Sequence, residues 1–275
     1  QVQAAAALSE MANDNRQTQA AIAKAGGIGP LLSLLQSRSS AAQSQGMAAL
    51  AALACNNGDN QDAIARSGGV RPLVLLLENS GNDSSVASSA AYALMEISKA
   101  NAANQKTVVD NGGISQLATL IKTSNNAKVK SETAGALWSL SEDPEIKVAI
   151  AQASTIQPLV GLLGSGDNRG TLHAANALAS LGLNNTENQE SITQMLIELL
   201  MTGPQEAQVR AVQSLNELVK ENPTAHEDIA KAGNPSALVE LVKTGISEAK
   251  DFSLWALSLS ISADNQGIVA DAGGV

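Results

Sequence analysis

One short phrase recurs along this chain at nearly constant intervals, and that periodicity restricts its fold more than any other property. The phrase reads AKAGGIGPLLSLL at 23–35, ARSGGVRPLVLLL at 65–77, VDNGGISQLATLI at 109–121, AQASTIQPLVGLL at 151–163 and AKAGNPSALVELV at 230–242. Its opening returns as ADAGGV at 270–275. Aligned on Leu31, Leu73, Leu117, Leu159, Leu196 and Leu238, the copies are 42, 44, 42, 37 and 42 residues apart. A self-similar period of this length means an array of units, each stacked on its neighbours, and it excludes arrays that repeat near 33 or 34 residues.

Two further phrases recur in fixed order between the copies. Ala93-Leu94, Ala136-Leu137, Ala177-Leu178 and Ala256-Leu257 form one, usually with an apolar partner three residues on (Ile97, Leu140, Leu181). The pair Asn-Gln at 60–61, 104–105, 188–189 and 265–266 forms the other.

Within a unit the pattern predicts three helices. Asn60, Asn104 and Asn265 are read as N-caps of a short first helix. That helix ends at Gly68-Gly69 and its copies, where glycine permits a positive φ and a sharp turn. Pro30, Pro72 and Pro158 then fall in the first turn of a second helix, where no N–H is needed. After a polar loop such as residues 78–84, a third helix begins, with Val86, Ala90, Ala93, Leu94 and Ile97 at 3–4 spacing. Each fully buried Leu or Ile contributes about 1.5–3 kcal/mol, and one unit alone covers too few, so neighbours must stack. Hydrophobic residues make up 44% of the chain but aromatics only 1%. The core must therefore be built from Ala, Leu, Ile and Val, which suits closely stacked helices better than sheets. In the fifth unit the turn phrase shrinks to SITQMLIELL at 191–200, and the array is expected to bend or gap there.

The Gly-Gly-Ile/Val-x-Pro-Leu turn and the third-helix Ala-Leu pattern together resemble the armadillo-repeat family, over essentially the whole chain. HEAT repeats, the structural alternative, usually lack the short first helix and its Gly-Gly turn. The resemblance implies an all-α, right-handed superhelical solenoid of about six three-helix repeats of roughly 42 residues. One array would cover 1–275, with repeat boundaries near 1–17, 18–59, 60–103, 104–145, 146–187, 188–222, 223–264 and 265–275.

The resemblance also implies that third helices line a concave groove. In peptide-binding members, a Trp and an Asn four residues later share one face of that helix and hold an extended peptide. The Trp positions here hold Ala6, Ala48, Tyr92, Gly135, Asn176, Gln213 and Trp255, and the Asn positions hold Glu10, Ala52, Glu96, Ser139, Ser180, Glu217 and Leu259. The ladder of the importin-α type is therefore missing. The expected groove residues are Glu10, Tyr92, Glu96, Ser139, Asn176, Ser180, Gln213, Glu217 and Trp255. Tyr92 and Trp255 are candidate anchors, Asn176 a candidate for bonding a peptide backbone, and Glu10, Glu96 and Glu217 candidate acidic spots for Lys or Arg of a partner.

Charge narrows the partner. The net charge is −9, and residues 184–275 carry 13 acidic against 5 basic side chains. An acidic body without a basic patch argues against nucleic acid and fits a Lys/Arg-rich protein or peptide. A single cysteine, Cys55, excludes an intramolecular disulfide and a cysteine-cluster zinc site. No run of 18 or more apolar residues occurs, so no direct membrane insertion is expected. A cytoplasmic location is expected, with the nucleus as a second. The chain opens on Gln1 and stops on a turn phrase, and it reads as a piece of a longer protein.

Catalysis is not expected. His173 and His226 lie in different repeats, and His226-Glu227 lacks a second His at zinc-protease spacing. His173 is read as a surface or groove residue, and Cys55 as structural. The glycines recur once per unit as turns, and Gly164-Ser165-Gly166 lacks the Lys-Ser/Thr of a phosphate loop. No cofactor and no metal are expected. The function expected is a scaffold or adaptor holding a partner segment along the third helices. Two alternatives are a structural scaffold of vacuolar, junction or ciliary type, and the substrate-recognition region of a ubiquitin ligase.

Overall fold

The computed structural model describes residues 1–221 and 235–259, and within them every regular element is an α-helix. They fall into two compact units, residues 1–155 and 156–275. The first holds α1 (Val2–Ala12), α2 (Arg16–Lys24), α3 (Ile28–Leu34), α4 (Ser40–Ala54), α5 (Gly58–Arg66), α6 (Val70–Asn79), α7 (Ser84–Ser98), α8 (Ala102–Asp110), α9 (Gly113–Thr123), α10 (Ala127–Leu140) and α11 (Pro144–Gln152). The second holds α12 (Ile156–Leu162), α13 (Asn168–Gly182), α14 (Thr186–Thr202), α15 (Gln205–Glu221), α16 (Pro235–Thr244) and α17 (Ser247–Leu259).

In the first unit the long third helices α1, α4, α7 and α10 pack side by side, and each second helix lies against its own third helix. Their contact surface is the repeated apolar face: Leu50, Leu53, Leu94, Ile97, Leu137 and Leu140 are at most 1% exposed. Small residues set the spacing. A Cβ added to Gly46 of α4 would stand 2.9 Å from Cβ of Leu34, so α3 and α4 meet at a distance that only glycine permits there.

The Gly-Gly turns behave as the sequence requires. Gly26, Gly68 and Gly112 have φ near +80° (+81, +78 and +81), a region that costs other residues about 1–2 kcal/mol. The glycine that follows is needed for space instead, since a Cβ on Gly69 would meet the Ile64 carbonyl oxygen at 2.9 Å. The fourth repeat has Ser154-Thr155 here. Ser154 takes φ +59°, and the Thr155 hydroxyl donates to the Ile150 carbonyl at 2.8 Å, turning the close approach into a hydrogen bond. In the fifth repeat Ser191 to Met195 offer neither a glycine pair nor a proline. The first and second helices merge into the single 17-residue α14.

The asparagines are arranged differently from the sequence reading. The asparagine N-caps of the first helices are Asn15, Asn57, Asn101 and Asn185 (the last heading the merged α14), all with φ between −124° and −140° and with Oδ1 accepting an N–H three residues on. Asn60 and Asn104 lie inside their helices, where they are buried. Asn60 Nδ2 donates to the Leu53 carbonyl and Asn104 Nδ2 to the Ile97 carbonyl, both at 2.9 Å. Asn265 lies outside the described residues.

These bonds belong to a ladder that accounts for the C-terminal carbonyls of the third helices, which no intrahelical N–H can reach. At the end of α7, Met95 O accepts from Lys99 N–H (3.0 Å) and Ser98 O from Asn101 N–H (3.2 Å). Glu96 O accepts from Gln61 Nε2 (2.9 Å) and Ile97 O from Asn104 Nδ2 (2.9 Å). At the end of α4 the same roles fall to Gln19, bonded to Ala52 O (2.9 Å), and Asn60, bonded to Leu53 O. Rungs connect as well: Asn57 Nδ2 donates to Gln19 Oε1 at 3.0 Å and Asn101 Nδ2 to Gln61 Oε1 at 3.2 Å. The recurring Asn-Gln pair is thus a stitch between neighbouring repeats. In the fourth repeat Ile146-Lys147 takes its place, and burial pulls the Lys147 ammonium below its usual pKa.

Candidate functional site

Of the residues expected in the groove, those of the first unit divide between surface and interior. Glu10 on α1 is exposed and Tyr92 on α7 is half-buried. Glu96 and Ser139 are each only 5% exposed, so neither offers its side chain to a groove. Ser139 Oγ donates to the Ala136 carbonyl at 2.8 Å and shares a 3.0 Å hydrogen bond with Ser98 Oγ of α7. Glu96 faces Cys55: burial first, then the charge and hydrogen bond of Glu96, push the Cys55 thiol up to about 11. That thiol is held in its unreactive form. The outer row between these helices carries Ala6 and Ala48, both half-buried, and thus few side chains for recognition.

The second unit places more of the set at the surface. Asn176 and Ser180 on α13 are half-buried, while Gln213 and Glu217 on α15 are exposed. His173, read from the sequence as a surface or groove residue, is 7% exposed and packs into α13's buried face. Trp255 on α17 is half-buried, and its ring lies 5.6 Å from that of Phe252 at an interplanar angle of 46°. Both rings border a cavity of about 320 Å³ between α15 and α17, together with Val212, Asn216, Glu248 and Asp251.

This cavity joins the half-buried Trp255 ring, backed by buried Phe252, to two exposed carboxylates and one exposed amide. Glu248, Asp251, Phe252 and Trp255 fall at 3–4 spacing and so on one face of α17. Sequence reasoning found Trp255 alone. Reading the helical face around it would have found the other three. Asn216 comes from a different helix and needed the fold. A ring face beside carboxylates suits a cationic side chain: the ring quadrupole attracts the charge, and carboxylates bond its N–H groups.

Among the described residues, no group of His, Cys, Asp and Glu side chains could hold a metal ion, and no helix is long and apolar enough to cross a membrane. His226 lies outside the described residues.

The three-helix unit, the Gly-Gly turn and the stacked third helices have their counterpart in a family model described as Armadillo-like, which matches residues 66–264. The chain belongs to the armadillo-like family. Armadillo repeats commonly serve as protein-binding scaffolds, typically without catalysis. Among solved structures, one engineered protein is 32% identical with a TM-score of 0.72, the match covering 100% of this armadillo chain and 68% of that one. A second engineered protein is 31% identical over 85% of this chain and 96% of its own, with a TM-score of 0.65. A designed armadillo repeat protein in complex with the peptide (KR)4 shares the fold at 21% identity, with a TM-score of 0.63 and coverage of 84% and 98%. Comparison with the curated proteins gives no match.

Proposed function

We propose that this armadillo chain is a non-catalytic scaffold that holds a segment of another protein against its third helices, with a preference for Lys and Arg side chains. The observation that carries the preference is the α15–α17 cavity, where Trp255 and Phe252 stand beside Glu248, Asp251 and Asn216. A Lys or Arg stem would lie on the Trp255 ring, which buried Phe252 backs, and its charged end would reach the carboxylates. The Asn216 amide would be left for the partner's backbone. Charge supports the same polarity, since residues 184–275 hold 13 acidic and 5 basic side chains. A designed protein of the same fold holds a peptide of alternating Lys and Arg. Of the acidic spots read from the sequence, Glu10 and Glu217 are exposed, and buried Glu96 leaves the proposal.

Fluorescence anisotropy with Lys/Arg-rich, acidic and neutral extended peptides tests the reading. Basic peptides should bind, and higher salt should weaken them. Trp255→Ala should cost about 2 kcal/mol, as for a truncated anchor, a loss of roughly thirtyfold. Equal affinity for acidic and basic peptides would remove the preference. Binding that ignores both Trp255→Ala and Glu248→Lys/Asp251→Lys would move the site elsewhere.

A further inference from the structure

On one third helix of the second unit, a large aliphatic side chain stands where other repeats carry a small polar one. Leu172 of α13 is 59% exposed. It lies four residues before Asn176 and so on the same helical face. In repeat register its counterparts in α4, α7 and α10 are Ser44, Ser88 and Ser131, each at most 9% exposed. A lone exposed leucine carries no meaning, but this one has neighbours that extend it.

Helix α15, which packs against α13, holds half-buried Val209 in the same register, four residues before exposed Gln213. Leu172 and Val209 form an apolar step on two adjacent third helices, with the amides of Asn176 and Gln213 one turn further along. In α17 the same register position is Asp251, so the row passes from apolar to acidic. Charge separates the two ends. Within one turn of Leu172 and Val209 the charged side chains are Arg169, Arg210 and Glu206, and Arg210 Nη1 donates to Gln213 Oε1 at 3.5 Å. Two guanidinium groups against one carboxylate disfavour a cation there. The α15–α17 cavity is bordered by Glu248 and Asp251 and by no basic side chain.

We propose that the α13–α15 step is an apolar subsite of the same groove, and that the held segment carries an aliphatic side chain about three residues from its Lys or Arg. The inference rests on the cation preference proposed for the α15–α17 cavity. Packed helices lie about 8–10 Å apart and an extended chain advances about 3.3 Å per residue, so one helix step spans about three residues. The aliphatic side chain covers Leu172 and Val209 and takes their apolar surface out of water. Asn176 and Gln213 bond the backbone beside it. Such a segment differs from the unbroken Lys-Arg run held by a designed armadillo protein, because Arg169 and Arg210 oppose a second cation at this step.

The probe is a labelled peptide, Lys-Ser-Leu-Gly-Ser-Arg-Ser-Gly-Leu-Ser-Lys, titrated by anisotropy against the whole chain. Leucine stands three residues from the arginine on both sides, so either chain direction is served. It should bind about fivefold more tightly than its counterpart with serine for both leucines, as expected for partial burial of one leucine. A peptide of the same composition with both leucines moved next to the arginine should lose that gain. Leu172→Ser, at an exposed position and to the residue of other repeats, should bring the leucine peptide down to the serine peptide's affinity, with circular dichroism unchanged. Trp255→Ala should weaken both peptides by the same factor. Equal affinity of the leucine and serine peptides, or a gain that survives Leu172→Ser, overturns the subsite and leaves the cation site standing. A Leu172-dependent gain that ignores both Trp255→Ala and replacement of the arginine by serine overturns the cation reading and the three-residue spacing with it. Absence of binding by every peptide overturns both.

Discussion

Replacing Gln61 by leucine keeps the volume of the site and removes one amide from the interior. Gln61 is 4% exposed. Its Nε2 donates to Glu96 O at 2.9 Å and to Lys99 O at 3.2 Å, and its Oε1 accepts from Asn101 Nδ2 at 3.2 Å. Leucine affects these partners unequally. Asn101 keeps its 2.8 Å bond to Asp62, and Lys99 is exposed, so water can replace Gln61 at its carbonyl. Glu96 O belongs to a buried residue and loses the donor that caps it. One buried acceptor without a donor costs about 1–3 kcal/mol, so the expected loss is about 2 kcal/mol. Gln61→Glu should be worse, about 3 kcal/mol or more, because it sets an acceptor-only carboxylate against carbonyls at the negative end of α7. The introduced carboxyl would have its folded pKa raised above the unfolded value. The penalty is then full at neutral pH and shrinks as pH falls below that folded pKa. Urea unfolding followed by circular dichroism at pH 7 and pH 4 measures both variants. A leucine variant within about 0.5 kcal/mol of wild type, or a Glu variant no worse than the leucine one, would refute the ladder's role in stability.

Other expectations follow from single positions. Ala100 sits at φ +52°, where the equivalent positions hold Asp14, Asn56 and Asn184; Ala100→Asn should raise stability by about 0.5–1 kcal/mol, readable as a higher urea midpoint. Gly69→Ala puts a methyl 2.8 Å from Ile64 Cγ2 and 2.9 Å from Ile64 O, and should lower stability by about 1–3 kcal/mol in the same assay. Cys55 should alkylate with a midpoint near pH 11, and a midpoint near 9.0 would mean that burial and Glu96 do not act on it. Because that folded pKa is raised, the thiol's contribution to stability is complete below pH 9.0 and is lost as pH rises towards about 11.

The repeat, its three helices and its turns were legible in the sequence because each rests on a local requirement. Positive φ at Gly68 and the missing N–H of Pro72 need no knowledge of neighbours. The Asn-Gln pair was legible as a recurrence but not as a device. Asn60 looks like a cap because capping is the commonest local role for asparagine near a helix start. Its actual partner is Leu53 O, at the end of the preceding helix. Glu96 and Ser139 were misplaced for a related reason. Position on a helix fixes which residues share a face, but burial depends on the neighbouring helix: Ser139 meets Ser98 of α7, and Glu96 of α7 meets Cys55 at the end of α4.

The sequence by itself determined the family, the number of helices per unit and the aliphatic character of the core, since periodicity and backbone chemistry are written residue by residue. Only the tertiary structure decided which polar side chains stitch repeats together and which face a partner. Those outcomes depend on distances between helices about 40 residues apart in the chain, set by how closely small residues such as Gly46 let them approach. The same packing brings Asn216 of α15 to Trp255 of α17.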